Sequence, residues 1–277
     1  MICYPNVKIN LGLNVLRKRA DGFHDLETLF LPYPGITDTL EIITGDDWSR
    51  TLGGLREKYG ALTQAVSEDG KLMITIARSE GVDWDPLEDL TARAYALLGA
   101  DFKLPPMKIF LEKRAPVGAG LGGGSADAAF ALRMIAELAE LNLTDEELAA
   151  YAARLGSDCA FFIYNKPMFG SGRGEILEPY DLPLEGYRIE VCIPEGVAVS
   201  TADAYRGIVP ATPAKPLREV LKQDISTWKE ELHNDFEATV FAKYPALATV
   251  EDQLYELGAV YAAMSGSGSA CFGIYKA

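Results

Sequence analysis

Residues 116–129 read PVGAGLGGGSADAA, with five glycines in the seven positions 118–124. Glycine brings no side chain to a core and loses more backbone freedom on ordering than any other residue. A run this dense belongs where a backbone bends tightly and comes close to something. Residues 107–112 before it read as a strand, and residues 125–141 after it carry helical spacing. Strand, glycine loop and helix start in succession aim free N–H groups and the positive end of a helix dipole into the bend, which makes an anion cradle. A merely flexible turn would leave the directly attached helix unexplained.

Two familiar phosphate loops do not fit. Gly118, Gly120 and Gly123 satisfy GxGxxG, but a dinucleotide fold follows its first helix with a parallel strand carrying an acidic residue. Here a second helix follows, opened by a capping box at Thr144 and Glu147 and closed at Gly156. A Walker A loop ends in Gly-Lys-Ser/Thr, whereas this one ends Gly-Gly-Gly-Ser. Ser125 fits two roles equally, a helix N-cap and a Mg²⁺ ligand.

The rest of the chain supplies a mixed framework. Apolar residues at 7, 9, 11, 13 and 15 alternate with polar or small ones, predicting a half-buried strand with Lys8 and Asn10 on its polar face. Residues 24–31 return as the second strand of a hairpin. Further strands are predicted at 39–44 and 72–77, a short helix at 52–59 within a polar excursion over 45–70, and a helix at 87–98. The second half predicts a strand at 187–194, a loop at 205–216, helices at 227–241 and 246–257, and two short strands flanking 265–269. A domain boundary falls near residue 165, dividing the chain into 1–165 and 166–277.

Composition excludes several classes. With 48 % hydrophobic residues over 277 positions, the chain builds a core without staples. Its four cysteines are scattered, with no metal-binding spacing, and read as buried apolar residues in a reducing compartment. A net charge of −14 argues against nucleic-acid binding and requires any phosphate site to be locally basic. Arg17 to Arg19 and Lys113 with Arg114 are the basic clusters that stand out. Residues 1–16 lack the basic leader and apolar core of a signal peptide, and no apolar run is long enough for a membrane helix, so the expectation is a cytoplasmic chain with no membrane partner. Neither of the two histidines sits in a nucleophile elbow, which removes a serine hydrolase.

Residues 5–12, 116–129 and 265–271 together, in this order and spacing, resemble the superfamily of galactokinase, homoserine kinase, mevalonate kinase and phosphomevalonate kinase. Residues 8–11, 19–24, 26–29, 122–125, 155–158 and 174–177 resemble the branch whose acceptor carries a cytidine diphosphate headgroup. The resemblance implies an α+β fold in two domains, the N-terminal one ribosomal-protein-S5-domain-2-like and the C-terminal one ferredoxin-like. It implies an ATP-dependent small-molecule kinase with ATP and Mg²⁺ as cofactors. Lys8 and Asp158 are then catalytic. ATP is bound by Lys113, Pro116, Val117, Gly118, Ala119, Gly120, Leu121, Gly122, Gly123, Gly124, Ser125 and Ala126. Asn10, Phe23, His24 and Tyr205 bind the acceptor, and Ser125 ligates the metal. Glu88-Asp89-Leu90 stands where relatives usually carry Asp-Asn-Leu beside the adenine. Two other readings stay open from sequence: a homoserine- or mevalonate-type kinase, and a non-catalytic sensor of ATP and ligand.

Overall fold

The computed structural model describes residues 1–45 and 47–277. Its contacts divide the chain into two compact units, each returning to sequence more than once. The first comprises Met1–Val7, Pro34–Pro116 and Gly123–Asn165; the second comprises Lys8–Tyr33, Val117–Gly122 and Lys166–Ala277. Where the sequence suggested one cut near 165, these units also place the first hairpin and the tip of the glycine loop with the C-terminal half.

The first unit is a five-stranded sheet in the order Ile2–Cys3, Thr39–Thr44, Met107–Lys113, Leu72–Arg78, Thr63–Val66. All pairs are antiparallel except Leu72–Arg78 with Met107–Lys113, which run parallel through the crossover helix Leu90–Asp101. Three further helices follow, Gly123–Leu138, Asp145–Leu155 and Cys159–Tyr164. Gly123–Leu138 starts two residues earlier than its spacing predicted, so Ser125 lies inside the first turn and not at the N-cap. It also ends earlier: Glu140 takes a left-handed φ of 55° and the Leu141 N–H closes on Ala136 O, a Schellman-type stop. The predicted capping box is present, with Thr144 and Glu147 each satisfying the other's backbone N–H.

The second unit holds two sheets. One orders Asn6–Lys18, His24–Thr37, Met168–Ser171 and Ile176–Pro179; the other orders Tyr187–Cys192, Cys271–Lys276 and Tyr261–Met264. The Asn6–Lys18 strand corrects the sequence reading, because residues 6–15 are buried on both faces. Lys8 and Asn10 therefore sit in the interior, at 3 % exposure each, and need internal partners. The single helix predicted over 227–241 is broken into Trp228–Glu231 and Phe236–Lys243. Between them the chain pairs with the first strand: Leu13 N–H donates to His233 O and Asp235 N–H to Leu13 O. Those ladder bonds, and Asn234 Nδ2 donating to Met264 O and Gly266 O at 2.8 Å each, outweigh helix propensity. Tyr205, expected in a loop, lies in the short helix Thr201–Arg206. Leu13, Val15, Phe236, Val240, Leu247, Leu254, Met264 and Cys271 form a core of this unit. All four cysteines are free thiols.

Candidate functional site

The tip of the glycine loop, residues 117–122, is held in the second unit by its carbonyls. Ala119 O accepts from Ala270 N at 3.1 Å, and Leu121 O accepts from Lys8 N at 2.9 Å. Gly120 O accepts from Lys8 Nζ at 2.9 Å and from Ser265 Oγ at 3.1 Å. In a trans peptide the N–H points away from the C=O of the same plane. With these carbonyls turned into the protein, the N–H groups of Gly120, Leu121 and Gly122 face the other way. Gly118, Gly120 and Gly122 take φ of 74°, 75° and 71°, alternating with ordinary residues in the manner of an anion-binding nest. Gly120 tolerates no substitute, since a Cβ there would stand 2.2 Å from Ser265 O.

Lys8 lies beneath this tip. Besides Gly120 O, its ammonium donates to Asn10 Oδ1 at 2.5 Å and stands 5.7 Å from the Phe30 ring centroid. Asn10 is engaged on three sides: its oxygen on Lys8, its Nδ2 donating to Thr28 Oγ1 at 3.0 Å, and its backbone N–H donating to Ser265 Oγ at 3.2 Å. Asn10, expected at the acceptor, also serves as a mount for Lys8. Ser265 and Thr28 complete the mount; both lie in stretches that carry the family resemblance, 265–271 and 26–29, though neither was expected in this role.

In the first unit, the loop's C-terminal arm becomes the helix Gly123–Leu138, with Ser125 in its first turn. Burial pushes the Cys159 thiol up to about 12, against the pull of the Ser125 hydroxyl. Asp158 occupies the N-cap position of Cys159–Tyr164, but its carboxylate makes no capping hydrogen bond. The capping role that a bare sequence reading allows is not the one it plays. Lys113, expected at the nucleotide, is 6 % exposed and donates to Asp38 Oδ2 and Asp127 Oδ2 at 2.5 Å each. Burial works against its charge, but the two carboxylates outweigh it and hold the ammonium above its ordinary range. Asp89 caps Leu90–Asp101 by accepting from Thr91 N at 2.9 Å, and its other oxygen accepts from Trp84 Nε1 at 3.2 Å.

Two of the expected acceptor residues meet in the second unit. His24 and Tyr205 stack face to face, with centroids 4.9 Å apart and planes 18° from parallel. Tyr205 is braced edge-on by Phe236 at 4.7 Å. Phe23 is 52 % exposed, with the Arg173 guanidinium 4.9 Å from its ring centroid. Arg173, which sequence reasoning missed, adjoins the motif over 174–177.

Among the described residues no group of three His, Cys, Asp or Glu side chains could hold an ion. Mg²⁺ needs none, because it is ordinarily bound through one or two protein oxygens together with substrate phosphates and water. The Ser125 hydroxyl, placed in the first turn at the loop's end, fits that mode.

An anion nest backed by a buried lysine and followed by a helix start defines a phosphate-handling enzyme of the small-molecule kinase class. The family models for the GHMP kinases N terminal domain and the GHMP kinases C terminal match residues 89–166 and 217–277. The chain belongs to the GHMP kinases and is an ATP-dependent small-molecule phosphotransferase. A 4-diphosphocytidyl-2-C-methyl-D-erythritol kinase of Bacteroides fragilis is 46 % identical over 276 residues, covering 100 % of this chain and 92 % of the relative. A crystal structure of a 4-(cytidine 5'-diphospho)-2C-methyl-D-erythritol kinase matches with a TM-score of 0.75 and 32 % identity, over 99 % of this chain and 89 % of that one. A homoserine kinase from Cytophaga hutchinsonii matches at 0.64 with 17 % identity, over 99 % and 86 %, a likeness of fold alone. No helix among the described residues is long and apolar enough to cross a membrane.

Proposed function

We propose that this chain transfers the γ-phosphate of ATP to the 2-hydroxyl of 4-diphosphocytidyl-2-C-methyl-D-erythritol, a step of isoprenoid precursor biosynthesis by the methylerythritol phosphate route. Relatives of that name, aligned over the whole chain, support the choice of acceptor. The observation that carries the chemistry is the inward turn of the carbonyls of Ala119, Gly120 and Leu121. It leaves the N–H groups of Gly120, Leu121 and Gly122 as donors for phosphate oxygens, within the loop 116–126 read as the ATP site.

Phosphoryl transfer asks the protein mainly for positioning and for neutralisation of charge. Asp158 takes the proton from the acceptor hydroxyl as its oxygen bonds to the γ-phosphorus and the bond from that phosphorus to the bridging oxygen of ADP breaks. Lys8, fixed by Asn10 and Gly120 O, stabilises the negative charge of the transferring group. Ser125 would hold Mg²⁺, which would supply neutralisation of the phosphate charge when bound. Phe23, His24 and Tyr205 bind the cytosine. Because Tyr205 is already stacked on His24, the base enters by parting that pair. The units are read as S5-like and ferredoxin-like, and the enzyme as cytoplasmic.

Asp158→Asn tests the chemistry. Positioned proton transfer is worth about 10²–10⁴ in rate. The variant is expected to lose turnover by that factor while binding ATP and acceptor as the wild type does, measured by single-turnover kinetics and calorimetry. Near wild-type turnover would remove Asp158 from the mechanism.

A further inference from the structure

We propose that Lys113, with Asp38 and Asp127, is a positioning strut that closes the neck of the glycine loop and sets its affinity for ATP. The proposal rests on reading that loop as the phosphate site. Lys113 is the last residue of the strand Met107–Lys113, and Asp127 lies early in the helix Gly123–Leu138, so the pair spans the loop from one arm to the other. Asp38 fastens the incoming arm a second time, its Oδ1 accepting from Arg114 N at 2.5 Å and Ala115 N at 2.7 Å. The arms nearly touch: a Cβ on Gly123 would stand 3.0 Å from that of Ala115, and 3.6 Å from Lys113 Nζ. All three side chains are buried, at 6 %, 1 % and 1 % exposure for Lys113, Asp38 and Asp127.

The composition of the cluster marks it as more than a stabilising ion pair. One ammonium faces two carboxyl groups, so ionising both would bury a surplus negative charge. Asp127 Oδ1 has no hydrogen-bond partner, and burial together with the Asp38 charge pushes its carboxyl well up against the pull of Lys113. Buried ionic clusters are weak sources of stability, and their replacement by neutral groups is often tolerated, but they fix geometry. Here the geometry fixed is the distance between the arms from which the phosphate-binding N–H groups hang.

The two roles separate in Asp127→Asn. The amide is isosteric, keeps an oxygen for Lys113 and cannot ionise, so the melting temperature is expected to stay level or rise. The tie across the neck weakens, and KM for ATP is expected to rise about tenfold, with KM for the acceptor unchanged and kcat within about threefold. Lys113→Met alone leaves two carboxylates facing each other and is expected to fold poorly. Lys113→Met combined with Asp127→Asn leaves only Asp38, still held by two backbone N–H groups, and is expected to fold with the same loss of ATP affinity. Wild-type KM for ATP in both folded variants would overturn the strut, as would an Asp127→Asn variant whose only defect is a lowered melting temperature. A wild-type chain that binds no ATP by calorimetry would instead sink the loop reading, and the strut with it.

Discussion

The glycine loop and the aromatic cluster around His24 are built on opposite principles. On the proposed reading the loop binds with backbone, and the chain itself holds that backbone in place. The carbonyls of residues 119–121 are engaged, Gly120 is pressed against Ser265 and Gly268, and three glycines hold left-handed φ. On the same reading the cluster would bind with side chains, and those are engaged with one another: His24 with Tyr205, Arg173 with Phe23. The first region is preorganised and the second must open. Preorganisation lowers the cost of binding, whereas a region that rearranges takes that cost out of its affinity.

The sharpest way to break this contrast is at Gly120. Alanine there would collide with backbone and strain a φ of 75°, so Gly120→Ala is expected to lower kcat/KM for ATP by about a hundredfold or more. Gly118 has a similar φ of 74° but nothing within 4 Å of a Cβ. Gly118→Ala meets only the conformational penalty, about 1–2 kcal/mol, and is expected to lose roughly tenfold. Equal losses at both positions, measured by steady-state kinetics with ATP varied, would show that the packing behind Gly120 is irrelevant.

At the aromatic cluster, base stacking is worth about 1–3 kcal/mol. His24→Ala removes a base contact but also frees Tyr205, so the net rise in KM for the acceptor is expected near the lower end, about fivefold to tenfold. KM for ATP should stay within twofold. A change in both constants together would mean that the two regions are not separable.

The smallest expected effect is in pH. Glu237 accepts from Met264 N at 2.8 Å, just before the 265–270 turn that backs the glycine loop. Burial first, and the charge of Glu251 second, push its carboxyl up to about 8; burial, with the nearby Asp252, pushes Glu251 up to about 7. Carboxyls raised on folding cost stability as pH climbs from the ordinary carboxylate range through these values, because the unfolded chain ionises first. Glu251→Gln is expected to raise the melting temperature at pH 8 by about 3 °C, with the gain vanishing near pH 4. A gain independent of pH would assign the effect to packing.

The same contrast explains what was legible in the sequence. A site made of backbone announces itself through glycine, so residues 116–126 stood out at once, as did the capping box at Thr144. Lys8 and Asn10 were visible as neighbours on one strand face, but not as buried. Burial depends on what covers the strand, and part of that cover is remote in sequence: Gly120 lies 112 positions from Lys8 and Ser265 lies 255 from Asn10. The partners of the Lys113 side chain are not legible in the sequence, because Asp38 is 75 residues distant. The break at 232–235 was hidden for the same reason, since a ladder with a remote strand overrode local helical spacing. Asp127 could have been noticed as the one charge in an alanine-rich turn.

The central claim is that the acceptor is recognised through its cytidine diphosphate while the loop holds ATP, and one comparison tests it directly. ADP release is followed at saturating ATP with 4-diphosphocytidyl-2-C-methyl-D-erythritol and with the same sugar alcohol phosphate lacking the cytidylyl group. The account predicts kcat/KM higher for the cytidylated acceptor by roughly tenfold to a hundredfold, the measure of one stacked base, with KM for ATP the same in both. Equal use of the two acceptors would contradict it.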